Sequence, residues 1–374
     1  MAASGSGPIA PASGHAAASA SAAPAVDMTR VEVVAPNLKF RLSGVTSTII
    51  QLVPFQARSI GIATLGPGLP DSLPKMRWWQ LPVLWRRPAS GRKRIWHARR
   101  NTEMAAGIVL RSVLRAPLHL LFTSAAQRHH KPFTKWLIRR MDAVIATSER
   151  SGSFLEVPHV VTMHGVDLDL FHPPATGDDE FAAAGLPGRY AVGCFGRIRE
   201  QKGTDLFVDA MIELLPRFPD WTAVITGRVT QENRAFAEKL QARIAAAGLS
   251  RRILFLGEVP DVKVWFRRLT LYVAPSRNEG FGLTPLEAMA SQTAVVASDA
   301  GAYAEMVVEG EVGAVVPAGD GKALTAAISA YLANPERAQE HGRLAAKHVR
   351  ENFALPREAA GVAQVYEGLW GGDR

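Results

Sequence analysis

The sequence predicts an α/β protein made of two doubly wound parallel sheets. Apolar runs of strand length alternate with helical stretches through both halves of the chain, the pattern of repeated βαβ units. The 374 residues suit two domains of ordinary size, and 47% apolar content is ample for two cores. Prolines and acids gather between the halves, over 169–179, where a linker is expected.

The first half opens with the strand VEVVAPN, then a loop containing Ser43-Gly44-Val45-Thr46-Ser47 and the helical stretch STIIQLVPFQARSI. RKRIWH reads as a strand leading into a helical pattern from Thr102. APLHLLFTS is a strand, HHKPFTKWLIRRM is helical, and DAVIATS and HVVTMHGVD close the half. The second half repeats the pattern more clearly, with strands RYAVGCFG, TAVITG, ILFLG, LYVAPS, TAVVAS and GAVVPA. Helices are expected between them, among others over 204–215, 231–247 and 285–290. Sheets of this kind bind ligands at the carboxyl ends of their strands.

Residues 1–27 are Ala, Ser, Gly and Pro with almost no charge, so a disordered extension is expected. They have no basic segment followed by an apolar core, which argues against a signal peptide, and Met28 is a candidate start. The single cysteine, Cys194, excludes an intrachain disulfide framework and suits a reducing cytoplasm; its strand context suggests a buried, inert thiol. No apolar run approaches the ~20 residues needed to cross a bilayer.

The net charge of +9 is unevenly placed: over 72–102 there are nine Lys or Arg, no Asp or Glu, and four of the eight tryptophans. Trp interleaved with Arg suits a membrane interface with anionic headgroups, where each basic residue contributes about 1 kcal/mol. A solvated basic face or an RNA surface would have the same composition. No nucleic-acid motif accompanies the stretch, so a membrane or an anionic glycolipid is the favoured partner.

The chemistry concentrates in APSRNEGFGLTPLEAMA, read as a strand, a glycine-bearing loop and a helix opening at Thr284. Thr284-Pro285-Leu286-Glu287 reads as a capping box. Free N–H groups above the sheet favour an anion, and Gly280 and Gly282 allow close approach of the backbone. Alone, Glu287 reads as a capping residue and Glu279 as a solvated loop charge. Two carboxylates beside an anion site instead suit a ligand with both phosphates and hydroxyls, a nucleotide sugar. Arg197 and Lys202, in CFGRIREQKG, follow another strand and would place two cations over the same end of the sheet, where they would stabilise a departing diphosphate. Surface charge is the plainer reading of either alone. Gly193 and Gly196 lack the spacing of a dinucleotide fingerprint, and neither a zinc-like Cys/His cluster nor Asp-x-Asp occurs.

These motifs resemble the retaining GT-B glycosyltransferases of group 1, family-4 type, whose E-x7-E motif corresponds to Glu279 and Glu287. The resemblance runs from about residue 30 onward. It implies two Rossmann-like domains facing across a cleft, 28–175 for the acceptor and 176–355 for the donor, with 356–374 crossing back to the first. It also implies catalytic roles for Glu279, Arg197 and Lys202. Glu279 would bind donor-sugar hydroxyls and Glu287 the ribose, while Gly280, Phe281, Gly282 and Leu283 meet the sugar and diphosphate. Glu258 and Val259 would contact the base. Gly44 would approach the diphosphate, although a single glycine there also suits a tight turn. No cofactor or metal is implied.

The first half departs from the family pattern. Phe122 stands where many relatives have a histidine, His97-Ala98-Arg99 replaces a His-x-His, and His164-Gly165-Val166-Asp167 replaces the usual Asn-Gly-Val-Asp. His97, His129 and His130 are the candidate histidines, and Arg99, Arg100 and Glu103 are candidates for binding a charged acceptor. RLSGVTSTI, HARRNTEM, FTSAAQRHH and HGVDLDLF resemble the alphaproteobacterial lipopolysaccharide-core mannosyltransferases. That implies GDP-mannose as donor and the inner-core Kdo of a lipid A precursor as acceptor. The enzyme would be cytoplasmic and peripheral to the inner membrane, touching the inner leaflet and no nucleic acid. A UDP-hexose transferase acting on another glycolipid, a sugar-nucleotide epimerase and a silent nucleotide-sugar scaffold are the rival readings.

Overall fold

The computed structural model describes residues 26–40 and 44–372. Of the expected extension over 1–27, all but the last two residues lie outside the described residues. The first sheet has seven parallel strands: β1 (Val33–Pro36), β2 (Ile62–Leu65), β3 (Lys75–Met76), β4 (Arg94–Ala98), β5 (Leu118–Ser124), β6 (Ala143–Ala146) and β7 (Val160–Val161), in the order β3-β2-β1-β4-β5-β6-β7. The second has six, also parallel: β8 (Tyr190–Phe195), β9 (Trp221–Thr226), β10 (Ile253–Gly257), β11 (Leu271–Ala274), β12 (Ala294–Ser298) and β13 (Gly313–Val316), in the order β10-β9-β8-β11-β12-β13. The strand order reverses between β1 and β4 in one sheet and between β8 and β11 in the other. Such switch points open a crevice at the strand ends, because successive loops leave in opposite directions there.

Both sheets bury both faces, so their strands are almost wholly apolar. Period-two alternation still divides each strand: Leu271 and Val273 face one core, Tyr272 and Ala274 the other. In the first sheet Val34, Trp96, Leu120 and Phe122 face one side and Val33, Ile95 and Leu121 the opposite side. That opposite side is covered by the helix Gly44–Gln56 and by the last helix, Leu355–Gly371.

The last helix therefore completes the first sheet's core, although it follows the second sheet in sequence. Leu355, Val362, Tyr366 and Trp370 pack against Ile49, Leu52 and Ile95. The buried Tyr366 hydroxyl bonds His97 Nδ1 at 2.8 Å, and Trp370 Nε1 donates to the Lys93 carbonyl at 2.9 Å. The chain crosses between sheets twice at one place, where Val166 N–H donates to the Phe353 carbonyl and Leu355 N–H to the Val166 carbonyl.

Several local readings change. Gly44 is the first residue of a helix rather than part of a loop, so that helix starts before the expected Ser47. The helical stretch at 231–247 divides into a 3-10 turn, Gln231–Asn233, and the helix Arg234–Ala246. The 169–179 segment ends packed on the second domain, where Asp179 pairs with Arg267 at 2.6 Å. Cys194 is buried, and burial pushes its thiol up to about 12.

Candidate active site

The neighbouring strands β8 and β11 deliver two loops to one place. After β8 the backbone turns at Gly196 (φ +137°), runs through Arg197 and reaches the short turn Glu200–Lys202. Gly203 follows at φ +69°, and a Cβ there would lie 1.9 Å from the Pro275 carbonyl oxygen at the end of β11. Only glycine lets the two loops close on each other. The ammonium of Lys202 consequently forms an ion pair with the Glu279 carboxylate, both side chains less than one-fifth exposed (19% and 18%). The other Glu279 oxygen accepts the Gly280 N–H at 3.2 Å. Gly282 has φ +86°, and a Cβ there would strike the Tyr303 ring at 2.3 Å.

The expected capping box does not form. The helix is Thr284–Ala290 with Leu283 at its N-cap and no side-chain cap, so Thr284 already sits in the first turn. Thr284 lies in one hollow with the buried Tyr272 and Tyr303. Glu287 is released from capping and turns into the cleft. Burial pushes its carboxyl up to about 7, with Lys202 pulling in the opposite direction.

Across the cleft, the first sheet contributes Gly44, Val45, Ser47 and Thr48 after β1, Arg99 after β4, Thr123 and Ala125 at the end of β5, and His164 after β7. Together with Arg197, Lys202, Glu279, Gly280, Phe281, Gly282, Leu283 and Glu287 they line one cavity of about 420 Å³. Arg99 is buried, which lowers its guanidinium pKa, and no side-chain partner of Arg197 is found among the described residues. The wall thus combines cations, one ionised pair and a neutralisable carboxyl. That mixture suits a ligand carrying phosphate and hydroxyl groups.

Other expected site residues do not reach the cavity lining. Glu258 is exposed and Val259 half-buried in the loop after the edge strand β10. His97 is fully buried, its Nδ1 on Tyr366 and its Nε2 on Thr123 Oγ1 at 2.7 Å, so it braces the last helix; burial and the nearby Arg99 hold its pKa well below the usual range. Arg100 and Glu103 pair at 2.9 Å, and Arg100 also bonds Asn37 and Thr46, binding the β1 loop to β4. His129 packs edge-on against Phe154, and His130 lies in a separate hollow with Lys135 and Glu156. Phe122 belongs to the core, and its neighbour Thr123 faces the cleft. Ser47, Thr48, Thr123, Ala125, His164 and Arg199 are lining residues that sequence reasoning did not select; of these, only His164 stood out, as a departure from the family pattern.

The Trp/Arg stretch also separates into two parts. Arg94 is buried, donating to the Met28, Val31 and Val83 carbonyls, and Trp96 is buried with Nε1 on the Glu103 carbonyl at 2.8 Å. Trp78, Trp79 and Trp85 are exposed on the 3-10 helix Trp78–Trp85. Trp85 Nε1 donates to the Leu114 carbonyl at 2.6 Å, which places Val113 and Leu114, also exposed, beside it. Arg111 connects this turn to Arg140, whose guanidinium lies 3.7 Å over the ring of the exposed Trp136. Among the described residues, no helix is long and apolar enough to cross a membrane, and no group of three or more His, Cys, Asp or Glu is arranged to hold a metal.

Residues 189–334 match the family described as glycosyl transferases group 1. The chain is 69% identical over 349 residues to the lipopolysaccharide core biosynthesis mannosyltransferase LpcC of Rhizobium leguminosarum bv. viciae, across 93% of this chain and 99% of that protein. It is 52% identical to the lipopolysaccharide core biosynthesis mannosyltransferase LpsB of Rhizobium meliloti (strain 1021), across 92% of this chain and 99% of that protein. The Anabaena Alr3699/HepE structure in complex with UDP and glucose superposes with a TM-score of 0.76 at 18% identity, covering 90% of this chain and 100% of that one. At that identity the likeness concerns the fold alone: two Rossmann-like domains in the GT-B arrangement.

Glu287 gives the cleft a pH signature. Its carboxyl is harder to ionise in the folded protein (about 7) than in an unfolded chain (4.5), so wild type loses stability relative to Glu287→Gln as pH rises between those values. The glutamine variant should melt higher than wild type at about pH 8, and the gap should close toward about pH 4.5. A melting-temperature difference that is constant over this range would show that Glu287 is not buried as described.

Proposed function

The chain belongs to the group 1 glycosyl transferases, and we propose that it transfers mannose from GDP-mannose to the inner-core Kdo of a lipid A precursor. The observation that carries the reading is the single cavity in which Arg197, Lys202, Glu279 and Glu287 converge between two switch points. The mannose and lipopolysaccharide-core assignment draws on the functions of the 69% and 52% identical relatives, which this chain matches nearly end to end.

In this reading Glu279 holds hydroxyls of the transferred sugar and Glu287 the ribose. The base extends along the strand ends toward β9 and β10, where Glu258 and Val259 lie. The diphosphate lies against Arg197, Lys202 and the backbone near Gly282. Cleavage of the bond between the sugar C1 and the phosphate oxygen leaves the electron pair on the diphosphate. Fixed cations stabilise that growing charge without reorganising, so no metal is required. The acceptor hydroxyl attacks C1 from the face the diphosphate leaves and passes its proton to a phosphate oxygen. The configuration is retained, and no nucleophile from the protein is needed.

The acceptor would be an anionic lipid at the cytoplasmic face of the inner membrane. The exposed ridge of Trp78, Trp79, Trp85, Val113, Leu114 and Trp136, with Arg77, Arg86, Arg87 and Arg115 exposed nearby in sequence, has the composition of a surface that settles among anionic headgroups.

Labelled sugar should pass to a Kdo-bearing lipid A precursor from GDP-mannose and not from UDP-glucose or UDP-galactose. Glu279→Gln should reduce this transfer at least about 100-fold with the fold intact. Transfer from a UDP-sugar would discard the mannose assignment, and near-wild-type turnover by the variant would discard the site. Separately, Trp78→Ser combined with Trp79→Ser should reduce co-sedimentation with phosphatidylglycerol vesicles at least about 5-fold. Equal co-sedimentation would place the membrane contact elsewhere.

A further inference from the structure

We infer that His164 reads a hydroxyl of the transferred sugar through Nε2, in a tautomer set by Glu358 of the last helix. This rests on the reading of the cleft as a nucleotide-sugar site.

His164 lines the cavity but belongs to the segment where the chain leaves the first sheet. Its backbone has little freedom. A Cβ at the next residue, Gly165, would lie 2.8 Å from Leu355 backbone atoms, and Val166 is bridged to Ala354. Glu358 is buried and uses both carboxylate oxygens here: Oε1 meets His164 Nδ1 at 2.7 Å, and Oε2 accepts the Gly165 N–H at 2.8 Å. An ionised carboxylate only accepts hydrogen bonds, so Nδ1 must carry the ring proton. When the ring is neutral its lone pair is then at Nε2, for which no partner is found among the described residues.

The ring also packs edge-on against Phe281, centroids 4.8 Å apart, in the same loop as Glu279. An acceptor nitrogen fixed in this way takes a donor from the ligand. Phosphate oxygens provide none, and the expected base-binding residues lie away from the cavity, beyond β10. Hydroxyls of the transferred sugar and of the ribose both donate; Phe281 joins His164 to the loop of Glu279, the expected sugar-binding residue, rather than to the helix that carries Glu287. His164 is thus a contact for the sugar rather than for the nucleotide, and Glu358 is the residue that positions it.

Isothermal titration without acceptor separates the two halves of the donor. His164→Ala should weaken GDP-mannose binding about 10-fold, the equivalent of one neutral hydrogen bond, and leave GDP binding unchanged. Glu358→Gln can donate to Nδ1 and shift the proton to Nε2, so it should weaken GDP-mannose in the same selective way. Unchanged GDP affinity also reports that each variant is folded. Equal weakening of GDP and GDP-mannose, or no weakening of GDP-mannose, would overturn the inference. If wild type instead prefers a UDP-sugar, the donor assignment fails, and the comparison of that sugar nucleotide with UDP decides the role of His164 by the same criterion.

Discussion

The position of β11 beside β8 is the constraint from which the site follows. Leu271 pairs with Val192 and Tyr272 with Gly193, so the loops after these strands emerge side by side although residues 202 and 279 are 77 positions apart. Gly203 lets one loop rest on the Pro275 carbonyl of the other. The pairing of Lys202 with Glu279 is the chemical consequence. The first sheet repeats the arrangement at β1 and β4, from whose ends Gly44 and Arg99 reach the same cavity. A cleft between two switch points needs no dedicated pocket-building segment, because the topology leaves a crevice in each half.

The electrostatics of the cleft are balanced for an anionic guest. Lys202 is partly buried, and a partly buried cation costs less when a carboxylate neutralises it. In the proposed reading a diphosphate replaces Glu279 as the partner of Lys202, freeing that carboxylate to accept sugar hydroxyls. Glu287 lies close enough to neutrality to meet a hydroxyl without adding a full negative charge beside phosphate. The last helix fixes the opposing wall: through Tyr366 it anchors His97, and through Glu358 it holds His164.

Most strands and helices were legible because parallel sheets buried on both faces leave continuous apolar runs between helical stretches. β2 and β3 were missed; β3 has only two residues, too few to show a period. The second sheet's side of the cavity was legible because Arg197, Lys202 and the 279–287 segment lie in two contiguous motifs at strand ends, whereas Glu258 and Val259, in a third, do not line it. The acceptor side was not. Whether His97, Arg100 or Glu103 faces a substrate or a neighbour depends on Tyr366, Asn37 and Thr46, whose proximity only the fold creates. The capping box failed because the helix begins one residue earlier than that motif requires, with Leu283 at the N-cap and Thr284 already helical.

The exchange of partners at Lys202 is the central claim, and GDP affinity of Glu279→Gln measured by calorimetry tests it most directly. With the competing carboxylate removed, Lys202 is already free for the diphosphate, so the variant should bind GDP about 3- to 10-fold more tightly than wild type. Unchanged or weaker GDP binding would contradict the account, because it would mean that Lys202 does not pass from Glu279 to the leaving diphosphate.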